Sequence, residues 1–183
     1  VYLVRYGVGH GAPTFLKESG IMTAAESKLA FSIHNYVGAV GTIICGWISA
    51  KFFKGKCAPA NVIFMSLVTV GAIIYWQIPA LAAATGIAAK VWAYVALILI
   101  GFCIYGPVAL VTIQAVNLVP KNATGTAAGF VGIFGYLVGD SLLSKIIVGS
   151  VADYSWNAAN LTMVIGAALG VVLCILTIKS EKA

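Results

Sequence analysis

The sequence predicts an all-α membrane protein, built as a bundle of six transmembrane helices. Hydrophobic residues make up 61% of the 183-residue chain and charged residues only 9%, whereas a soluble domain carries roughly 25% charged residues. Mean hydropathy is +1.02. With so little polar surface, a soluble enzyme, a nucleic-acid-binding domain, a disulfide scaffold and a disordered tail are all excluded. Water is therefore not the main solvent of this chain.

Apolar stretches supply the predicted spans, because a helix needs about 20 mostly apolar residues to cross the hydrocarbon core. They run approximately over residues 1–16, 29–50, 60–78, 91–119, 123–151 and 158–178. The first stretch is short, so we expect its helix to begin upstream of Val1. Pro59 and Pro79 bracket the third stretch and Pro120 ends the fourth, since the residue before a proline disfavours the helical conformation.

Lysines orient the predicted bundle. They follow the second, fourth and sixth spans, at Lys51, Lys54, Lys56, Lys121, Lys179 and Lys182. The positive-inside rule makes these boundaries cytoplasmic. We therefore predict a multi-pass protein of the cell (inner) membrane with a cytoplasmic C-terminus, and we read the net charge of +6 as loop lysines rather than as a nucleic-acid footprint.

Small residues recur at helical spacing in two spans. The second span has Gly38, Thr42 and Gly46, and the fifth has Gly125, Ala128, Gly129, Gly132, Gly135 and Gly139. Small residues let helices approach closely in lipid. Two interpretations stay open, either a static packing face or a smooth face along which helices tilt.

Arg5 is the most informative ionisable residue. An arginine at the bilayer centre costs about 2.5–3.5 kcal/mol on insertion scales, and its planar fork of donors suits phosphate or carboxylate. Tyr2 and Tyr6 flank Arg5, and Tyr105 and Tyr136 lie near the middles of their spans. Together these residues predict a polar cavity for an anionic ligand. The alternative is that Arg5 marks the inner helix end and reaches the headgroups.

Four further polar residues are candidates for cavity or gating roles: His10, His34, Asn35 and Asp140. Interhelical hydrogen bonding is the alternative for each. The sequence contains no Ser/His/Asp set, no paired carboxylates and no metal-ligand spacing. We therefore predict no catalytic residues, no metal, no cofactor and no enzyme, and we interpret the four cysteines as apolar helix residues.

Several motifs together resemble one family. They are Val1-Tyr-Leu-Val-Arg-Tyr-Gly7 with Pro13-Thr-Phe-Leu-Lys-Glu18, Gly41-Thr-Ile-Ile-Cys-Gly-Trp-Ile-Ser49, Tyr105-Gly-Pro107, Val119-Pro-Lys121 and Gly125-Thr-Ala-Ala-Gly-Phe-Val-Gly-Ile-Phe-Gly-Tyr136. Throughout its length the chain is similar to the organophosphate:phosphate antiporters, a branch of the major facilitator superfamily. The motifs correspond to the seventh, eighth, tenth and eleventh helices of that family.

The resemblance implies that the chain is the C-terminal six-helix half of a twelve-helix transporter whose N-terminal half is missing. It implies exchange of an organic phosphate for inorganic phosphate, as two halves rock around a central site. Arg5 would grip the phosphoryl group with a second arginine from the missing half, and Tyr2, Tyr105 and Tyr136 would line the cavity.

Departures from the family pattern bear on gating and substrate. His10 and Asn35 stand where relatives often carry acidic residues, so family charge pairs are absent or relocated, with His10 a titratable replacement. Ala128 and Val131 stand where hexose-phosphate members place an Asp and a Lys. Their absence favours glycerol-3-phosphate, while a hexose-phosphate or phosphoglycerate antiporter, and a transporter-like sensor of sugar phosphate, remain alternatives.

Overall fold

The computed structural model describes residues 1–148, 153 and 155–178. In this part of the chain the helices are α1 (Tyr2–Glu18), α2 (Ala24–Phe52), α3 (Cys57–Trp76), α4 (Ile78–Thr85), α5 (Ala89–Asn117), a 3-10 turn (Lys121–Ala123), α6 (Thr124–Phe134), a π-helical segment (Gly135–Val148) and α7 (Trp156–Thr177). The described residues include no strand, which confirms the all-α prediction. Residues 149–151 of the fifth predicted span, and Lys179 and Lys182, lie outside the described residues.

Four of these helices, α2, α3, α5 and α7, are long and apolar enough to cross a membrane. They make the chain a multi-pass membrane protein. The helix α1 has 17 residues, and the fifth predicted span is divided between α6 and the π-helical segment. The count of six spans therefore stays a prediction.

Helix ends follow local chemistry rather than hydropathy alone. Helix α2 begins at Ala24 because Thr23 and Glu26 form a capping box, in which each side chain accepts a hydrogen bond from the other residue's backbone N–H. The short helix α4 was not predicted. Pro79 lies in its first turn, where the missing N–H costs nothing, and Gly86 ends it with a φ of 68°.

Helix α5 lies at the centre of the packing, between α2 and α3, while α7 packs on α3 and α1 packs on the π-helical segment. Glycines set the contact between α2 and α5. A Cβ atom at Gly41 would overlap the backbone carbonyl of Phe102, and one at Gly106 would overlap Cys45. The fully buried apolar side chains of the core include Met65, Val68, Leu97, Ile100 and Ile104.

The predicted small-residue faces are used only in part. Gly38 packs against Tyr105, but no described atom lies within 4 Å of a Cβ built at Gly46. In the fifth span, Gly135 and Gly139 face Tyr2. Positions 125, 129 and 132 have open space beside them within the described part of the chain.

Polar contacts join helix termini at one end of the bundle, which we call the tethered end. The Lys90 ammonium lies 2.6 Å from the Glu26 carboxylate. The indole N–H of Trp156 donates to Glu18 over 2.8 Å, and that of Trp76 donates to Asn157. These contacts bring together the end of α1, the start of α2, the end of α3 and the starts of α5 and α7, as an up-and-down arrangement requires.

Candidate functional site

Helix α1 presents the candidate site as a stripe of side chains. Tyr2, Tyr6 and His10 recur every four residues, so they lie above one another on one face of the helix. Arg5 is the neighbour of Tyr6 on the side that meets α5. The α1 sequence thus directs one cation and three aromatic rings toward α2, α5 and the π-helical segment.

The Arg5 guanidinium is held by aromatic faces. Its Cζ atom lies 4.5 Å from the ring centroid of Tyr105 and 5.2 Å from that of Tyr6. Such cation–π contacts hold the charge in place without using the N–H groups of the guanidinium. No described residue forms an ion pair or a side-chain hydrogen bond with Arg5. Its five donors are therefore available to a ligand.

Tyr105, on α5, is positioned by α2. Its hydroxyl donates a hydrogen bond to the side-chain oxygen of Asn35, and the Asn35 amide donates to the Phe31 carbonyl over 3.0 Å. Gly38 leaves the space that the Tyr105 ring fills. The ring that contacts Arg5 is thereby fixed by two successive hydrogen bonds and a glycine.

Three tyrosines form a second part of the site, which we call the tyrosine cluster: Tyr2, Tyr6 and Tyr136. Their ring centroids lie 6.1 Å (Tyr2–Tyr6), 6.2 Å (Tyr2–Tyr136) and 5.9 Å (Tyr6–Tyr136) apart. Gly135 and Gly139 admit the Tyr2 side chain to the π-helical segment. The cluster joins that segment to α1 beside the arginine.

His10 and Asp140 form an ion pair at the edge of this cluster. The imidazole Nε2 lies 2.8 Å from a carboxylate oxygen of Asp140, with the His10 side chain half exposed and the Asp140 side chain 17% exposed. The His10 ring also stacks on Tyr6, with centroids 6.3 Å apart. The sequence offered no partner for Asp140, and the structure supplies one from α1.

His34 is buried behind Tyr105. Its Nδ1 atom donates a hydrogen bond to the Leu97 carbonyl over 2.9 Å. Its ring stacks on Phe31 and meets the Tyr105 ring edge-on, with centroids 5.4 and 6.0 Å apart. His34 is only 1% exposed, so its edge-on contact supports the Tyr105 ring from within the packed bundle.

The structure thus brings the sequence-predicted residues into one connected site. Arg5, Tyr105, Asn35 and His34 form one group; the tyrosine cluster with His10 and Asp140 forms the other. Tyr6 links them; the sequence placed it beside Arg5, but it was not among the residues predicted to bind the substrate. The signal was its four-residue spacing from both Tyr2 and His10. Among the described residues, no group of His, Cys, Asp and Glu could hold a metal ion.

Comparison with known proteins finds transporters. No family model matches the sequence. The chain is 42% identical over its whole length to the glycerol-3-phosphate transporter of Bacillus subtilis (strain 168), covering 39% of that protein. It is 38% identical over 99% of its length to the glycerol-3-phosphate transporter of Haemophilus influenzae, again covering 39%. It is 31% identical over 96% of its length to the phosphoglycerate transporter protein of Salmonella typhimurium, covering 35%.

The chain therefore spans about two fifths of the length of the curated relatives it matches. These relatives are named as transporters and not as enzymes. Their similarity extends over essentially the whole chain, and it therefore includes the segments that contain the arginine, the tyrosines and the glycine-rich helix. Over essentially its whole length the chain is thus similar to named phosphate-ester transporters, in agreement with its resemblance to the organophosphate:phosphate antiporters of the major facilitator superfamily.

Proposed function

We propose that this chain is the C-terminal half of a secondary transporter that exchanges an organic phosphate for inorganic phosphate by alternating access. The observation that carries the proposal is the Arg5 guanidinium, which is held between the Tyr105 and Tyr6 rings with its donors unused by the described residues. Glycerol-3-phosphate transporters among the relatives support a phosphate ester as the substrate.

The site's chemistry suits a phosphoryl group. A guanidinium presents paired N–H donors that match two phosphate oxygens, and the hydrogen bonds are strengthened by charge. The site is open on one side, since Tyr136 is 57% exposed. An anion can therefore reach Arg5 without displacing a packed core.

Glycerol-3-phosphate is the substrate we favour. Ala128 and Val131 are small and uncharged at positions where the family's hexose-phosphate members tend to place an Asp and a Lys. A small ester makes no demand for further polar contacts there. Phosphoglycerate is the second candidate, and the similarity to a phosphoglycerate transporter favours it.

A twelve-helix transporter needs a second, N-terminal half, which we propose as the partner of this chain within the bilayer. That half would supply the opposing wall of the cavity and a second arginine. We expect the chain alone not to transport, because it supplies one wall only. We place the protein in the cell's inner membrane with the C-terminus in the cytoplasm, on the evidence of the loop lysines.

Counterflow in liposomes tests the proposal. The full-length transporter that contains this chain is reconstituted in vesicles loaded with inorganic phosphate, and glycerol-3-phosphate, 3-phosphoglycerate and glucose-6-phosphate are offered separately. We expect uptake of glycerol-3-phosphate that requires internal phosphate. Preference for another ester would keep the exchange and change the substrate. Binding of an ester without any exchange would indicate a sensor and would contradict the proposal.

Arg5→Lys tests the role of the guanidinium. Lysine keeps the charge but cannot offer paired donors, so we expect phosphate-dependent uptake to fall on the order of tenfold or more, given about 1.5–3 kcal/mol for a hydrogen bond to a charged group. Lys54→Arg, which exchanges the same two residue types on a loop, serves as the matched control. Unchanged uptake by Arg5→Lys would show that the Arg5 guanidinium does not bind the substrate.

A further inference from the structure

We propose that the His10–Asp140 pair takes up a proton when an anion binds at Arg5, so that protonation of His10 strengthens anion binding. The inference rests on the proposed function in one respect, namely that Arg5 binds the anion. The additional ligand is a proton, which is held by His10 on α1 and Asp140 on the π-helical segment.

The geometry connects the pair to the arginine through one aromatic ring. His10 Nε2 is 2.8 Å from Asp140, the His10 ring stacks on Tyr6 at 6.3 Å, and the Tyr6 ring centroid is 5.2 Å from the Arg5 guanidinium carbon. Five residues of helix separate Arg5 from His10, which is about 7.5 Å along the axis. The pair is therefore close enough for its charge to act on an anion at Arg5.

The charges around the pair are few. The described ionisable groups that face this region are Tyr2, Arg5 and Tyr6 on α1, Tyr136 and Asp140 on the π-helical segment, His34 on α2 and Tyr105 on α5. Helix α7 approaches α1 beside Gly11 with Trp156, which does not ionise. Glu18 lies further along α1, at the tethered end. Among the described side chains, Asp140 is thus the single carboxylate in the site.

This arrangement makes the net charge of the pair depend on His10. With neutral imidazole the pair carries one negative charge, which repels an anion at Arg5; with imidazolium the pair is neutral. Histidine ordinarily changes charge between about pH 5 and pH 8. Removing one unit charge at about 7–10 Å, with an effective dielectric constant of about 20, changes the affinity for a singly charged anion about 20- to 50-fold, and the affinity for a dianion by more. Anion binding is accordingly tighter at low pH and weaker as the imidazole loses its proton.

The coupling is reciprocal, because an anion that prefers the protonated pair must also favour protonation of that pair. The proton comes from solvent when the anion binds and returns to solvent when the anion leaves, and no covalent bond changes apart from the N–H bond of the imidazole. Phosphate esters also titrate near neutrality, so a probe whose charge is constant is needed to isolate the contribution of His10.

Sulfate is that probe, since it is a dianion throughout this range. Sulfate binding to the full-length transporter in detergent is measured by titration calorimetry from about pH 5.5 to about pH 8. Repeating the titrations in buffers of different ionisation enthalpy gives the number of protons taken up on binding. We expect wild-type affinity for this dianion to weaken by about 20-fold or more with rising pH. His10→Gln should show constant, weak binding, and His10→Gln with Asp140→Asn should show constant, tight binding.

Glu26→Gln is the matched control, because it removes a carboxylate at the tethered end, and it should keep the wild-type pH dependence. Wild-type pH dependence in His10→Gln would overturn the inference. If His10→Gln does not fold, Asp140→Asn serves as the test. The inference would also be overturned if this variant bound sulfate no more tightly than the wild type at about pH 8. If the transporter exchanges phosphate in liposomes but binds sulfate equally at all pH values, the inference about His10 is refuted and the proposed function stands. A wild-type protein with neither exchange nor anion binding refutes the proposed function.

Discussion

Tyr105 is the residue on which the contacts of the arginine site converge. Its face meets Arg5, its side meets His34 and its hydroxyl donates to Asn35. Three side chains from two other helices, α1 and α2, therefore contact this ring, and the ring in turn positions the guanidinium. Replacing this tyrosine separates the contribution of the ring from that of the hydroxyl.

Tyr105→Phe keeps the ring under Arg5 and removes the hydrogen bond to Asn35. We expect phosphate affinity of the full-length transporter to fall only about threefold, because one neutral hydrogen bond contributes about 0.5–1.5 kcal/mol. Tyr105→Ala also removes the cation–π contact and the packing, so its loss should be on the order of tenfold or more. Titration calorimetry measures both. Equal losses in the two variants would mean that the hydroxyl itself binds the anion.

At the residue scale, the sequence indicated individual candidate residues but not which of them contact each other. Arg5 could be predicted because a charge in an apolar stretch needs a purpose in lipid. The His10–Asp140 pair could not, since 130 residues separate its members and only the packing of α1 on the π-helical segment makes them neighbours. The burial of His34 behind Tyr105 is likewise a property of how α2 and α5 pack.

Among the elements, α2 and α5 make the closest approach. Gly41 lies against the Phe102 backbone and Gly106 against Cys45, so the two helices touch almost backbone to backbone. Close approach through small residues is the ordinary means of helix association in lipid. It also brings Asn35 and His34 of α2 to Tyr105 of α5. The arginine site thus depends on this helix pair.

Gly41→Ala should destabilise the protein by about 1–3 kcal/mol, because the added methyl group meets a backbone carbonyl that cannot turn aside. Gly46→Ala, on the same helix with open space beside it, is the matched control. It should be neutral or stabilising by up to about 1 kcal/mol, the difference in helix propensity. Thermal unfolding in detergent compares the two. A Gly41→Ala protein as stable as the wild type would show that the helices do not meet at Gly41.

Hydropathy anticipated the long apolar helices but not the register of their contacts. The predicted face of α2 was Gly38, Thr42 and Gly46, whereas the observed contact with α5 uses Gly38, Gly41 and Cys45. Both sets have helical spacing, and only the partner's position distinguishes them. Helix α4 was not predicted because only Gln77 separates its apolar sequence from α3. Pro79 indicates the end of the α3 apolar stretch, but it also fits the first turn of a new helix.

For the whole molecule, the tethered end and the lysine-rich loops lie at opposite ends of consecutive helices. The tethered end holds Glu18, Glu26 and Lys90, while Lys54 and Lys121 follow α2 and α5 at their other ends. We therefore propose, from the positive-inside rule, that the tethered end lies outside the cytoplasm. This assignment concerns the orientation of every helix, and it can be tested at two positions.

Ala84→Cys and Lys121→Cys report the two sides. Both positions are exposed, whereas the four native cysteines are buried in helices and should remain unlabelled. In intact cells, a membrane-impermeant maleimide should label Ala84→Cys in the full-length protein and leave Lys121→Cys unlabelled until the membrane is opened. The opposite pattern would invert the topology. The wild-type chain measures the background.

The tethered end also has an optical consequence. The chain has four tryptophans, and the indole N–H groups of Trp76, Trp92 and Trp156 are all hydrogen-bonded at this end, to Asn157, Thr85 and Glu18. Trp47 lies near the other end of α2, with Lys51 over its ring. A rearrangement that separates the tethered end will therefore alter three emitters at once, whereas opening of the opposite end will alter one. Intrinsic fluorescence can thus distinguish which side of the protein moves, without any attached label.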